Sequence, residues 1–408
     1  MPKRPASVRR DGAGTRSGIR RAAVTMNRDK ERRRPGPELL LRPVTAVGPV
    51  TAVVSLLALV ACTGGGSSIP TGNAGQVTGS NSAGQEPRVL RTVEGLRLPW
   101  STVFLPDGTA VISERDSGEL KAVRDGNTTA LGSVPGVVPG GEGGLLGLAV
   151  SPNFASDRSL FAYFTARSDN RIARLTLTER VPGGALELGT PETIFAGIPK
   201  ASTHNGGRIR FGPDGNLYVG TGDSQRRDQP QDPNALGGKI LRITEKGEPA
   251  PGNPFGDNPV YSLGHRNVQG LDWDDAGRLW SSEFGPNVDD ELNLIQPGGN
   301  YGWPEVTGAP GKAGFIDAKV VWPSTAESSP SGLEIVGSTA YLGALRGQRL
   351  WAVPLAGENA GNPVSHFTAR FGRIRDVSLA PDGTLWMLTN NQNPDSALIL
   401  APPGSPGG

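Results

Sequence analysis

The sequence predicts an all-β chain folded as a six-bladed β-propeller with four-stranded antiparallel blades. Three observations carry that expectation. Of 408 residues, 59 are Gly and 36 are Pro, too many helix-interrupting residues for a helical bundle or a coiled coil. One pattern recurs between Val89 and Leu400: a β-type run, a tight Asp/Gly turn and a second β-type run, which is the signature of repeated hairpins. Six such units in 312 residues leave 52 residues each, room for four short strands and their loops.

Residues 1–42 hold 13 Lys and Arg against 4 Asp and Glu, and the remaining 366 residues hold 28 against 35. The body of the chain is therefore mildly acidic, which argues against nucleic acid as a partner, since phosphate backbones select concentrated basic surfaces. Val44–Ala61 is an uncharged stretch of 18 residues ahead of the single cysteine, Cys62. A basic flank, a short apolar run and small residues at a cleavage point describe a secretory signal. Leu59-Val60-Ala61-Cys62 also resembles a bacterial lipobox, whose cysteine carries a lipid. A transmembrane anchor is the alternative, with Gly48-Pro49 and the short length against it. Residues 1–61 are thus expected to be a lipoprotein signal segment, with Met1 or Met26 as its start, and residues 62–88 a lipidated cysteine and Gly/Ser-rich tether. A tether of this length reaches roughly 25–30 Å. The expected location is extracytoplasmic, anchored to the cell membrane through Cys62. Residues 89–400 form the expected propeller and 401–408 a disordered tail.

Within 89–400, the first strong unit is Ser101–Leu105, Pro106-Asp107-Gly108 and Ala110–Glu114. The next strong units turn at Pro213-Asp214-Gly215, Asp274-Asp275-Ala276-Gly277 and Pro381-Asp382-Gly383. Two weaker units join Leu146–Val150 to Leu160–Phe164, and Leu333–Gly337 to Leu350–Leu355. A Pro-Asp-Gly turn alone also suits a β-sandwich; its repetition between similar strands favours the propeller.

In a propeller the innermost strands line the axis, so residues just ahead of them gather at one mouth of the central channel. That rule selects Glu142, His204, Arg266, Asn267, Arg373 and Arg375. Guanidinium forks bind carboxylates bidentately and stack on flat rings, so the set suits a planar anion bearing several carboxylates. Histidine ordinarily titrates near neutrality, which makes His204 the natural general base of the set; a single histidine beside a Gly-Gly turn is, taken alone, more often a structural hydrogen-bonding residue.

Several motifs then converge. His204-Asn205-Gly206-Gly207-Arg208, Gly220-Thr221-Gly222-Asp223, Gly237-Gly238-Lys239, Gly264-His265-Arg266-Asn267-Val268-Gln269 and the run Glu283–Ile295 leading to Asn300-Tyr301-Gly302-Trp303-Pro304 resemble the soluble quinoprotein aldose (glucose/sorbosone) dehydrogenases. The resemblance runs from about Leu98 to Thr389. It implies a propeller holding pyrroloquinoline quinone (PQQ) and Ca2+ at the axial mouth. His204 then matches the base that takes the anomeric proton while hydride passes from sugar C1 to the quinone, and Asp223 the carboxylate behind it. Arg266 and Asn267, with Gln269 of the same motif, match residues at the quinone. Glu142 stands where relatives often carry Gln, Arg373 and Arg375 match a pair gripping cofactor carboxylates, and Trp322-Pro323 resembles the segment covering the ring. The carbonyls of Gly285 and Pro286 match ligands of the cofactor's calcium, and Glu291 with the Tyr301 carbonyl a second, structural one. Two positions depart from the pattern of efficient glucose oxidisers: Leu345 where a Lys is expected and Lys319 where an aromatic is expected. With no Cys-x-x-Cys-His haem motif, electrons are expected to leave to a separate acceptor. The competing readings are a non-catalytic propeller that binds carbohydrate or protein and a calcium-dependent propeller hydrolase.

Overall fold

In all four strong repeats the turn is closed in the same way. The Asp side chain accepts a backbone N–H two residues on, from Thr109, Asn216, Ala276 and Thr384, which is the Asx arrangement that makes Asp a turn former. The glycine that follows takes a positive φ, 84° at Gly108, 74° at Gly215, 75° at Gly277 and 84° at Gly383, a region that side chains with a Cβ avoid.

These hairpins build six antiparallel sheets, one per blade, in the computed structural model, which describes residues 84–179, 184, 186–392 and 394–401. The expected signal segment, residues 62–83 of the tether with Cys62, and all but the first residue of the tail lie outside the described residues. The predicted six-bladed propeller is thus the observed fold. The first blade is built from Pro99–Phe104, Ala110–Glu114, Glu119–Arg124 and Asn127–Ser133. The inner strands of the others are Leu145–Val150, Ile209–Phe211, Val268–Trp273, Pro330–Val336 and Ile374–Leu379. The ring closes by exchange between the ends of the chain: Val89–Leu96 pairs antiparallel with Asp395–Leu400 and completes the sixth blade.

The fifth blade differs from the expected pairing. Leu350–Leu355 belongs to the third strand, and Pro330–Val336 pairs instead with Thr339–Ala344 through the two-residue turn Gly337-Ser338. That turn carries no Pro-Asp-Gly, so the intervening strand gave no signal. The insertion in the second unit contains the one short helix among the described residues, Phe154–Asp157, and none of their helices is long and apolar enough to cross a membrane.

The apolar core is a set of six slabs, one between each pair of neighbouring blades. Val111 and Leu120 meet Leu145 and Phe164; Phe161 and Tyr163 meet Leu217 and Leu241; Ile240 meets Leu271. Around the rest of the ring, Trp280 and Leu292 meet Leu342 and Val353, Leu350 meets Leu385 and Met387, and Trp386 and Leu388 meet Ile112 and Val123. Side chains fill both faces of each sheet, which leaves the axis to polar residues at the strand ends.

Candidate active site

Each inner strand starts at the same end of the axis, and there the chain collects a polar cavity of about 290 Å3. Of the residues expected there, Glu142, His204, Arg266, Gln269, Gly285, Pro286, Arg373 and Arg375 line it. Sequence reasoning missed Trp100, Arg115, Asp290 and Arg346 on the same wall. Leu345, one of the two departures, is there too.

His204 is held by three loops knitted backbone to backbone. Gly207 N donates to Gly220 O at 2.9 Å, Asp223 N to Arg266 O at 2.8 Å and Ser224 N to His204 O at 3.2 Å. The contact is so close that a Cβ on Gly222 would run into the His204 carbonyl. His204 itself lies at φ 57°, a left-handed conformation costly for a residue with a Cβ.

The imidazole is engaged at both nitrogens. Nδ1 lies 2.7 Å from Asp223 Oδ1, and Nε2 lies 2.9 Å from Arg266 Nη2. Arg266 can only donate, so Nε2 accepts and the proton sits on Nδ1, facing Asp223. Asp223 is fixed in turn by the Trp303 indole N–H at 2.8 Å and the Gln225 amide at 2.8 Å. Burial works to raise its pKa, but the hydrogen bond from His204, with those two donors, outweighs it and holds the carboxyl below its ordinary value.

Five guanidinium groups face the cavity: Arg115, Arg266, Arg346, Arg373 and Arg375. The carboxylates on its wall are Glu142 and Asp290. Burial is the first cause that lowers the pKa of Arg266, Arg373 and Arg375, and Arg115 and its neighbours add repulsion for the last two. Arg266 Nε and Arg375 Nε are buried without a partner. Neither Arg373 nor Arg375 has an ion-pair partner among the described residues. Arg115 pairs with Asp116 at 2.6 Å, and the cation left over suits a polyanion.

Two residues expected at the cofactor are not on the wall. Asn267 is fully buried behind it, its Oδ1 accepting from Gly206 N at 2.9 Å while Nδ2 has no partner. Trp322 ends the outermost strand of the fourth blade and packs in the slab against the fifth, its ring 5.7 Å from that of Trp351. Trp322, expected over a ring in the cavity, is thus not among the residues that line it and faces the slab between the fourth and fifth blades. Lys319, the other departure, opens that outer segment and is also absent from the wall.

Glu291 and Tyr301 border a separate small void together with Glu283, Gly285, Pro286 and Trp303. Glu283 and Glu291 are directly opposed across neighbouring strands, an arrangement two ionised carboxylates do not tolerate when buried. Asn293 Nδ2 bridges them at 3.1 and 3.0 Å, and Gly308 N donates to Glu291 at 2.6 Å. Burial pushes Glu283 up to about 7, and burial with the charge of Glu283 pushes Glu291 well above its usual range. The folded protein thus retains a proton that the unfolded chain, with glutamates near 4.5, has lost. Stability accordingly falls as pH rises toward and through the folded values, by roughly 1.4 kcal/mol per pH unit for one proton. His265, pushed down to about 3 by burial, contributes the opposite slope only below its ordinary value of 6.5. Lys239, pushed down to about 7 by burial, adds the opposite slope above pH 7, so the pair is read by difference: between pH 6.5 and 8 the denaturation midpoint of metal-free Glu291→Gln should fall less, or rise more, than that of the metal-free wild type. An equal slope in the variant would show that the pair holds no shared proton.

A larger cavity of about 580 Å3 opens at the opposite end of the inner strands. Its charges are already paired, Arg208 with Asp376 at 2.9 Å and Arg210 with Glu334 at 2.8 Å, and no histidine lines it.

A propeller with a carboxylate-backed histidine at a guanidinium-rich mouth has the groups to remove a proton beside a polyanion. Residues 96–399 match the family model described as Glucose / Sorbosone dehydrogenase, and the chain belongs to that family of oxidoreductases. It is 50% identical to the PQQ-bound aldose sugar dehydrogenase of Streptomyces coelicolor, with a TM-score of 0.74 over 77% of this chain and 97% of that one. It is 31% identical to the aldose sugar dehydrogenase YliI of Escherichia coli over 72% of this chain and 88% of the relative. Quinoprotein glucose dehydrogenase B of Acinetobacter calcoaceticus is 32% identical over 55% of this chain and 54% of its own length. The family predicted from the sequence motifs is the family found, and the non-catalytic reading gives way to an enzyme.

Proposed function

We propose that the chain oxidises the C1 hydroxyl of aldose sugars to the lactone, using PQQ and calcium at the axial mouth and passing the electrons to a separate acceptor. The observation that carries the reading is the line Asp223, His204, Arg266 beside a cavity with five guanidinium groups. PQQ is a planar tricarboxylate, which suits the uncompensated charge and the orphaned Arg266 Nε and Arg375 Nε. Arg373 and Arg375 would hold its carboxylates, with Glu142 and Gln269 at its edge. The carbonyls of Gly285 and Pro286 would hold the calcium beside it, an oxygen donor set suited to a hard cation. Glu291 with the Tyr301 carbonyl would hold a second calcium, which would take the place of the proton shared with Glu283.

When bound, the quinone supplies the acceptor for the hydride from C1, and calcium polarises the accepting carbonyl. His204 Nε2 takes the proton of the C1 hydroxyl as the C1–H bond breaks and the C1=O bond forms. Asp223 keeps the other ring proton on Nδ1 and stabilises the imidazolium. Arg266, which now donates to Nε2, is freed by the arriving hydroxyl to face oxygen on which negative charge builds.

The test is reconstitution of the folded protein with PQQ and Ca2+, followed by dye reduction across a panel of aldoses. Quinone binding with dye reduction on aldose addition is the expected result; neither, in protein shown to be folded, would end the reading. The enzyme would act outside the cytoplasm, tethered by lipid at Cys62; Leu59-Val60-Ala61-Cys62 supports this. Labelled fatty acid should enter the wild-type chain and not Cys62→Ser.

A further inference from the structure

We propose that Glu142 positions the base, clamping the Ser202-Thr203-His204 turn at two points, and that its charge lowers the potential at which the cavity's cofactor accepts electrons. The second half rests on the functional reading above; the first does not.

The clamp is visible in two hydrogen bonds. Glu142 N donates to Ser202 O at 2.8 Å, and His204 N donates to Glu142 Oε2 at 2.8 Å. One residue thus grips the turn through both its backbone and its side chain. The grip is needed because His204 sits at φ 57°, a conformation that costs on the order of 1–3 kcal/mol and persists only when its surroundings enforce it. Glu142 is itself aimed by a tight loop: Gly140 and Gly143 exchange hydrogen bonds at 3.1 and 2.9 Å. A Cβ on Gly141 would collide with the same Ser202 carbonyl, so the two turns lie against each other without room for slack.

The charge acts across the cavity. Glu142 lines it and is felt electrostatically by Arg266, Arg373 and Arg375. Reduction of a bound quinone adds negative charge to the space those groups surround. A carboxylate nearby opposes that gain, in proportion to the inverse of distance and of a dielectric well below that of water. The carboxylate therefore moderates the pull of the arginines, making the reduced cofactor a stronger donor to the next acceptor.

Two substitutions separate the roles. Glu142→Gln keeps a carbonyl oxygen for His204 N and drops the charge; Glu142→Leu drops both. Amide hydrogen exchange at His204 in the cofactor-free protein reads the clamp: at least tenfold faster in Glu142→Leu and near wild type in Glu142→Gln. Spectroelectrochemical titration of the PQQ-loaded protein reads the charge, with a more positive midpoint for Glu142→Gln. In turnover, kcat should fall by about 10- to 100-fold in Glu142→Leu, as misplacing a catalytic group by an ångström does, with quinone affinity held within a few-fold. Wild-type exchange in Glu142→Leu overturns the clamp, and an unmoved midpoint in Glu142→Gln overturns the electrostatic role. Failure of the wild-type protein to bind PQQ would instead remove the functional reading and the potential shift with it, while the exchange experiment still decides the clamp.

Discussion

His204→Gln is expected to lower kcat by about 10^3-fold, within the span of losses that follow removal of a general base, while PQQ affinity changes by no more than a few-fold. Glutamine is a stringent replacement: it approximates the size of the ring and can donate and accept, yet it takes up no proton at neutral pH. The geometry concentrates the loss in the chemical step. His204 Nε2 is directed at Arg266, and its other nitrogen is committed to Asp223 at 2.7 Å; the groups with uncompensated charge toward a polyanion are the arginines. Asp223→Asn should fall between, since an amide can still hold the ring but no longer stabilises the imidazolium and can impose the wrong tautomer. Stopped-flow reduction of the loaded enzyme by an aldose, with absorbance titration of the quinone, separates the two quantities. Parallel collapse of binding and reduction in His204→Gln would make His204 a structural residue of the 204–207 turn.

The fold was legible because its signals are local and repeated. Asp107, Asp214, Asp274 and Asp382 each close a turn within two residues, so short sequence windows suffice. The second strand of the fifth blade was missed because Gly337-Ser338 makes its turn by backbone conformation alone, with Gly337 at φ 56°. Closure of the ring by Val89–Leu96 joins residues some 300 positions apart, and no window contains both partners.

The site was half legible for a geometrical reason. Counting back from the inner strands finds Glu142, His204, Arg266, Arg373 and Arg375, because those strands all start at the mouth. The second strand of each blade is antiparallel to the first, so it ends at that same mouth and delivers whatever follows it. Arg115 follows Ala110–Glu114, Asp223 follows Leu217–Gly220, Gly285 follows Leu279–Glu283, and Arg346 follows Thr339–Ala344. Applying the rule to both ends of the first hairpin would have found Arg115, and Arg346 too once the missing strand was known. Trp322 could not be placed in this way, since its strand lies at the rim of the blade and its tryptophan is claimed by a neighbouring slab.

Arg375→Met is expected to stabilise the cofactor-free protein by about 1–3 kcal/mol and to weaken PQQ binding at least 100-fold. Arg375 is the most buried of the cavity cations. Its Nη1 donates to Gln269 Oε1 at 2.7 Å and to Ser331 Oγ at 3.3 Å, and its guanidinium lies 5.7 Å from the Trp100 ring. Those neutral contacts do not replace water around a full charge, and Nε has no partner. Burial, then Arg115 and Arg373, push its pKa below the ordinary arginine value, so in the empty cavity the charged form is held at a cost of several kcal/mol. Methionine matches much of the stem's volume and removes that cost. A polycarboxylate reverses the account, because in the low-dielectric floor of the channel each carboxylate met by a guanidinium fork is worth far more than at a surface. Stability of the empty protein and affinity for the cofactor are therefore opposed at this one position. Arg375→Lys sharpens the point: it keeps the charge and loses the fork, so it should recover little of the affinity and none of the stability. Urea midpoints of the cofactor-free variants and equilibrium titration with PQQ measure the two sides. Arg375→Met that is less stable than wild type, or that binds PQQ normally, would show that this guanidinium serves the fold and leaves cofactor binding to Arg373.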